Sequence, residues 1–324
     1  MNELERFRRA VLVALIATLI LVAVGGIVRA TGAGLGCPDW PRCFGSWVPP
    51  TSADQLPPEF DKSRFNVVQT WTEYINRLIG VTVGFLILYA AFRAFRVVRR
   101  NRQAAVGAWI ALVLVAFQGW LGGVVVQSEL QPWLITAHML TAIAILMALT
   151  YAWYVAAPER LLSGAGRRPL LFNVGSALFV VLVSQIAIGT QVREHIDEIT
   201  NRTPDLPRSE WLAGVNPVFV FHAAFAWAVL LLAFVLFEVV RRSDLRGVGR
   251  VCGLGCPLAL AGQMLIGGAL SSFALPPVLQ VLHLSIASTV ATGLFLFLLI
   301  TGVPQPQPAP VAVESETPSE EVRP

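Results

Sequence analysis

Eight stretches of the chain run almost without charge for roughly 20 residues, the length an α-helix needs to cross the hydrocarbon core of a bilayer. They fall at about 11 to 30, 72 to 95, 105 to 126, 133 to 156, 169 to 191, 216 to 240, 250 to 271 and 277 to 301, and each predicts a transmembrane helix. The first follows MNELERFRR and has the basic flank of a secretory signal. At about 20 residues, however, its apolar run exceeds the roughly 7 to 15 of a signal sequence, and seven more spans follow. It is expected to be retained.

Composition agrees with that pattern. Of 324 residues, 55% are hydrophobic and 14% charged, with a mean hydropathy of +0.66; soluble domains carry about 25% charged residues. The arginines then set the orientation, because short cytoplasmic connections collect positive charge. Arg6, Arg8 and Arg9 precede helix 1. Arg93, Arg96, Arg99, Arg100 and Arg102 lie between helices 2 and 3, Arg160, Arg167 and Arg168 between 4 and 5, and Arg241, Arg242, Arg246 and Arg250 between 6 and 7. Both termini are therefore expected in the cytoplasm of a multi-pass protein of the cell membrane. The formal net charge of +4 reports topology and gives no support for nucleic-acid binding. A Pro- and Glu-rich tail at 304–324 reads as disordered.

Between helices 1 and 2, roughly residues 31 to 70, the stretch GLGCPDWPRCFG falls on the external face. That compartment permits disulfides, and a Cys37–Cys43 bond is expected in preference to two free thiols or a metal pair. Cys252 and Cys256, at the inner end of helix 7 among apolar residues, read as small packing residues.

The chain also repeats itself. QGWLGGVVVQSELQPWLITAH, from Gln118 to His138, and QMLIGGALSSFALPPVLQVLH, from Gln263 to His283, share Gln, Gly-Gly and His at one constant 145-residue offset. GGIVR at the end of helix 1 and GTQVR at the end of helix 5 form a weaker echo. The fold expected is an all-α integral membrane protein whose eight transmembrane helices form two tandem pseudo-symmetric four-helix bundles. Its parts are 1–160, 165–303 and the tail. Nearly the same offset pairs Asn76 with His222, so four equivalent positions emerge near the outer starts of the even helices: Asn76, His138, His222 and His283.

An intramembrane histidine is costly without a partner and usually marks a functional site, although a lone one also serves as an interhelical hydrogen-bond donor. His222 and His283, matched in depth, fit axial ligation of a haem between facing helices. No carboxylate near them suggests a di-iron site, and zinc would normally need three or four protein ligands. The N-terminal half differs in carrying Glu73 and Arg77 beside Asn76, where the C-terminal half has Phe219 and Ala223. These two charges form a structural salt bridge, or Glu73 faces the chemistry while Arg77 meets a haem propionate or the glutamate. Arg29 and Arg193 have two readings, pairing with propionates or snorkelling to lipid headgroups. Gln118 and Gln263 read as interhelical hydrogen-bonders, the Gly pairs as places of close approach, and His195 as a solvated residue of the loop between helices 5 and 6.

GLGCPDWPRCFG, EYINRLIG at the start of helix 2, the histidines of helices 4, 6 and 8, and the duplicated plan together resemble the haem A synthase family over about residues 10 to 302. That resemblance implies oxidation of the C8 methyl of haem o to a formyl group, giving haem a. It also implies haem b held by His222 and His283 in the C-terminal half, and haem o as substrate in the N-terminal half with His138 as its axial ligand. Glu73 matches a glutamate needed for activity, and Cys37 and Cys43 match a disulfide-forming external pair. Many members have His where this chain has Asn76. The expected catalytic set is thus Glu73, Asn76 and Arg77, and the cofactor-binding set is His138, His222, His283, Arg29 and Arg193.

Expected partners are haem o and the enzyme that makes it, an electron donor, a terminal oxidase or its assembly factors, and the bilayer; a second copy of the chain is left open. The competing classes are a non-catalytic bis-His electron-transfer cytochrome and a haem carrier.

Overall fold

The computed structural model describes residues 2–157, 168–203, 205–212 and 217–302. The proposed tail at 304–324, the boundary between the halves, and Arg160 and Arg167 lie outside the described residues. Eight helices follow one another: α1 (Glu3–Ala30), α2 (Val67–Val97), α3 (Arg102–Gln127), α4 (Pro132–Val155), α5 (Pro169–Arg202), α6 (Val218–Arg241), α7 (Gly247–Ser272) and α8 (Pro277–Gly302). All eight are long and apolar enough to cross a membrane. In lipid this is the economical solution, since every backbone polar group is satisfied within its own helix. Among the described residues there is no strand, only one antiparallel bridge between Cys43 and Ser46.

Helix starts follow local chemistry. Asn2, Asn66 and Asn101 cap α1, α2 and α3 through side-chain oxygens that accept first-turn N–H groups, the arrangement that favours Asn at this position. α4, α5 and α8 begin on Pro132, Pro169 and Pro277, where a missing N–H costs nothing.

Three helices outrun the apolar stretches that announce them. α1 begins at Glu3 and α2 at Val67, and α5 continues to Arg202. Hydropathy ends where polar residues begin, whereas a helix continues as long as good helix formers and paired charges support it. In the last turns of α5 the pairs Arg193–Asp197 and Arg202–Glu198, four residues apart at 2.8 and 2.6 Å, supply that support. His195 consequently lies in α5 and is half-buried, with Nδ1 2.8 Å from the Gln191 carbonyl. The loop placement expected from sequence is corrected for that residue.

The apolar core has two parts. Phe7, Val11, Ile87, Ala94, Ala108 and Leu149 belong to one, drawn from α1 to α4. Leu178, Leu236, Leu260, Leu294 and Phe297 belong to the other, drawn mainly from α5 to α8. In α3 the small residues Ala104, Ala105, Gly107 and Ala108 bring α4 close; a Cβ on Gly107 would stand 3.0 Å from Tyr151. Backbone proximity of this kind drives helix association in lipid.

The repeat extends to the turns. Between α3 and α4, Glu129 and Leu130 have φ of 54° and 64°; between α7 and α8, Ala274 and Leu275 have φ of 55° and 55°. Two successive non-glycine residues in the left-handed region are uncommon, and here they recur at the same 145-residue offset. Leu130 N and Leu275 N each donate at 2.9 Å, to the carbonyls of Val125 and Leu270. Both turns deliver the next helix, with its histidine six residues in, at the same level.

Candidate functional site

Three histidines occupy one repeated local structure. On α3, Gln118 Nε2 donates to the backbone carbonyl of His138 at 3.0 Å, and a Cβ on Gly122 would stand 3.5 Å from His138 Cε1. On α7, Gln263 Nε2 donates to the His283 carbonyl at 2.6 Å, and Gly267 faces His283 Cε1 at 3.4 Å. On α5, Gln185 Nε2 donates to the His222 carbonyl at 3.0 Å, and Gly189 faces His222 Cε1 at 3.1 Å. In each unit Gln and Gly sit one helical turn apart on one face, and together they bracket the histidine of a neighbouring helix. A Cβ at Gly189 would press on its histidine, whereas at Gly122 and Gly267 one would sit in ordinary contact.

The sequence reading missed Gln185. Its signal was nevertheless present, since Gln-x-x-x-Gly occurs at 118–122, 185–189 and 263–267.

The fourth position completes the comparison. Aligning GGIVR with GTQVR places Leu21 at the glutamine position and Gly25 at the glycine position, opposite Asn76 at the histidine position. A Cβ on Gly25 would meet nothing within 4 Å. The glutamine and the histidine are replaced together in this quadrant, and the shorter side chain leaves space beside Gly25.

This layer is polar. Buried atoms without a hydrogen-bond partner include Nδ1 of His138, His222 and His283, Oε1 of Gln118, Gln185 and Gln263, and Oδ1 of Asn76. An unpartnered buried polar atom costs about 1–3 kcal/mol, so concentrating seven at one level implies a partner that meets them. Among the described residues no group of three or more His, Cys, Asp or Glu is placed to hold a bare metal ion. Single histidines on facing helices suit a macrocycle that brings its own equatorial donors. The residues fit a haem.

Glu73 and Arg77 are fastened to the cysteine loop. Glu73 is 4% exposed; its Oε2 accepts the Cys37 N–H at 2.8 Å, and its Oε1 takes Arg77 Nη2 at 2.5 Å and Nε at 3.1 Å. The remaining Arg77 donors reach the carbonyls of Asp39, Arg42 and Cys37 at 2.8, 2.9 and 3.1 Å. Arg77 therefore spans the loop and the glutamate, a use of the planar guanidinium that lysine could not reproduce. Arg77 and Glu73 form the salt bridge that the sequence allowed.

The loop is itself a folded unit. Cys37 and Cys43 are joined in a disulfide and are 0% and 1% exposed. Asp39 carboxylate oxygens accept the N–H groups of Phe44 and Gly45, whose positive φ values of 53° and 74° complete the turn. Phe44 meets Phe60 and Phe65 edge-on. Gly36 lies against the α2 backbone at Gln69, where any Cβ would clash, and Thr70 Oγ1 donates to its carbonyl at 2.9 Å. On the other side, Trp40 stacks over Gly123 of α3, its ring 2.9 Å from where a Cβ would be. The loop thus spans from α2 to α3.

Arg29 and Arg193, equivalent by the repeat, converge on Asp197. Arg29 Nη2 lies 2.6 Å from Oδ2 and Arg193 Nη2 2.8 Å from Oδ1. Arg193 also donates to Gln280 Oε1 at 3.2 Å and to the Arg29 carbonyl at 3.3 Å. One turn away, Thr136 of α4 contacts Thr190 at 2.7 Å and Glu194 at 3.2 Å. This polar seam ties α1 and α4 to α5 and α8; Asp197 and Glu194 carry no sequence motif that announced it.

Comparison with known proteins places these features in a family. A family model described as cytochrome oxidase assembly protein matches residues 8–295. The protein named Heme A synthase from Shewanella oneidensis is 25% identical over 230 residues, covering 67% of this chain and 68% of that protein. The one from Methylobacterium sp. (strain 4-46) is 30% identical over 230 residues, with 64% and 62% covered. The one from Paracoccus denitrificans is 28% identical over 290 residues, with 76% and 75% covered. With its eight helices, its histidine layer and a family match over residues 8–295, the chain belongs to the cytochrome oxidase assembly protein family.

Proposed function

We propose that the chain acts as a haem A synthase, oxidising the C8 methyl of haem o to a formyl group for terminal oxidases. The observation that carries this is the uneven layer: two Gln–Gly–His units in the C-terminal half, and one facing Asn76 and open space in the N-terminal half. His222 and His283 would hold a haem b, the residues 165–303 forming its bundle. His138 would hold the substrate haem o within residues 1–160.

Each hydroxylation takes one dioxygen, two electrons and two protons and releases one water. Two rounds convert methyl to alcohol and then to a hydrate, which loses water to the aldehyde. The bound haem supplies the redox chemistry; an unidentified donor supplies electrons.

The chain's own residues supply position and charge. His138 would hold the substrate haem through its iron, and Asn76, a poor iron ligand, would not compete for it. Glu73, held by Arg77 and the Cys37 N–H, keeps a carboxylate at a fixed site beneath the loop, where it orders water or moves a proton. Arg77 holds the loop over that carboxylate. The cysteine loop and both arginines at Asp197 are assigned to the external face, with the termini in the cytoplasm of the cell membrane, as the arginine distribution favours.

The test is extraction of haems from membranes of a host that makes haem o but no haem a, with this chain, without it, and with Glu73→Ala. Chromatography with mass spectrometry should show the alcohol and haem a only with the unaltered chain. Unchanged haem o beside a folded, haem b-loaded protein, with a competent electron donor present, would favour an electron-transfer cytochrome or a carrier instead.

A further inference from the structure

We propose that Gln118, Gln185 and Gln263 are positioning residues for the iron-binding histidines, each carboxamide oxygen accepting the Nδ1–H of its histidine in the haem-bound protein. This rests on the haem reading above and extends it to the groups that set the ligands' electronic character.

A histidine that ligates iron through Nε2 carries its proton on Nδ1, and that N–H needs an acceptor. Within a membrane bundle no bulk water is at hand to take it. In all three units Nδ1 is buried and unpartnered. In all three, the adjacent glutamine is already anchored to the same histidine's backbone through Nε2, at 3.0, 3.0 and 2.6 Å. The same amide's Oε1 is likewise buried and unpartnered. Each of the three units therefore holds one orphan ring nitrogen and one orphan acceptor on two residues already hydrogen-bonded to each other, with no other buried orphan acceptor on the glutamine-bearing helix at that turn among the described residues. Gln185 Nε2 also lies 3.5 Å from His222 Nε2, so the carboxamide already lies against this ring, on the nitrogen that iron would take, and ligation would turn the ring to bring Nδ1 to the carboxamide oxygen.

The fourth quadrant is an internal control. Where the histidine is replaced by Asn76, the glutamine is replaced by Leu21, while Gly25 is kept. A glutamine needed only to pack helices or hold a backbone carbonyl would have no reason to vanish with the imidazole, since Asn76 has a carbonyl too. Glutamine rather than a carboxylate suits the setting, because a neutral acceptor avoids burying another charge in a low-dielectric layer.

The experiment is a redox titration of haem b in purified protein, with Gln263→Leu, Gln185→Leu and Gln263→Glu compared against the unaltered chain. Leu is the residue the chain itself places at the fourth position. Haem content is measured on each sample alongside the potential. Losing the acceptor makes the imidazole a weaker donor and disfavours ferric iron, so the Leu variants should titrate higher. Gln263→Glu, a charged acceptor, should titrate lower. Each tenfold change in the ferric-to-ferrous preference reads as about 59 mV.

Haem b retained at an unshifted potential in the Leu variants would overturn the proposal, leaving the glutamines as backbone latches. If the Leu variants lose haem, Gln263→Glu decides, because a haem-loaded Glu variant with an unchanged potential overturns it equally. An unaltered protein holding no haem b would instead overturn the haem reading and take this inference with it.

Discussion

The C-terminal half carries its Gln–Gly–His unit twice, the N-terminal half once. At the other pair of helices the N-terminal half has Leu21, Gly25 and Asn76, together with Glu73, Arg77 and a disulfide-closed loop that its counterpart lacks. The Gly-Gly pairs show the same division. Gly122 and Gly267 both face a histidine, but Gly123 is covered by Trp40 whereas a Cβ on Gly268 would meet nothing within 4 Å. The scaffold is symmetric where a resident haem is proposed and asymmetric where a reaction is proposed. Duplication gives two comparable arrangements, and in this chain one of them has Asn76 at the ligand position and a carboxylate, Glu73, one turn before it.

The sharpest break of that comparison is removal of single histidines. His222→Ala or His283→Ala should abolish the bis-His haem spectrum outright, and His138→Ala should leave that spectrum intact while eliminating haem a in extracts. Equal loss of the spectrum in all three variants would mean that the halves are not separate sites. Building the missing unit is the converse test. A chain with both Leu21→Gln and Asn76→His should show a second low-spin haem signal when loaded with haem o.

A smaller contrast concerns the glycines. Gly123→Ala places a methyl into the Trp40 ring and should destabilise by about 1–3 kcal/mol, read from thermal unfolding in detergent. Gly268→Ala, with open space around it, should stabilise by about 0.5–1 kcal/mol through its helix.

The smallest effect lies at the opposite end. There the N-terminal half pairs Glu3 with the buried Arg93 at 2.7 Å, and the C-terminal half pairs the exposed Asp244 with Arg168. The hydrogen bond and charge of Arg168 hold the Asp244 carboxyl below its ordinary value of 3.8. A depressed carboxylate contributes stability above its unfolded pKa and loses it as pH falls through the folded one. Asp244→Asn should therefore remove a small part of the acid sensitivity below about pH 4 and leave unfolding at neutral pH nearly unchanged.

Much of this molecule was legible in its sequence, for physical reasons. Lipid imposes a length and an apolar composition on every span, so the eight helices announce themselves, and the repeat places their histidines at one level. The long reach of α5 was hidden because hydropathy reports solvent and not backbone hydrogen bonding; Arg193–Asp197 and Arg202–Glu198 sustain the helix beyond the point where its apolar run ends. The disulfide was legible from its compartment. Its attachment to Glu73 was not, because a contact between Cys37 and a residue 36 positions later depends on how the loop folds back. Gln185 was overlooked for a different cause. Its four-residue spacing to Gly189 was visible, but only the three-dimensional contact with His222 gave that spacing a meaning.

Burial of the two sulfurs also fixes an order of events during biogenesis. A thiolate or an oxidant must reach a sulfur atom to make or exchange the bond, and both cysteines are essentially inaccessible once Cys37 is hydrogen-bonded to Glu73 and Trp40 is seated on Gly123. Oxidation is accordingly expected while the loop is loose or lifted from α2. Afterwards the bond is shielded by the architecture it helped to assemble, and its lifetime is set by how often the loop lifts away from α2.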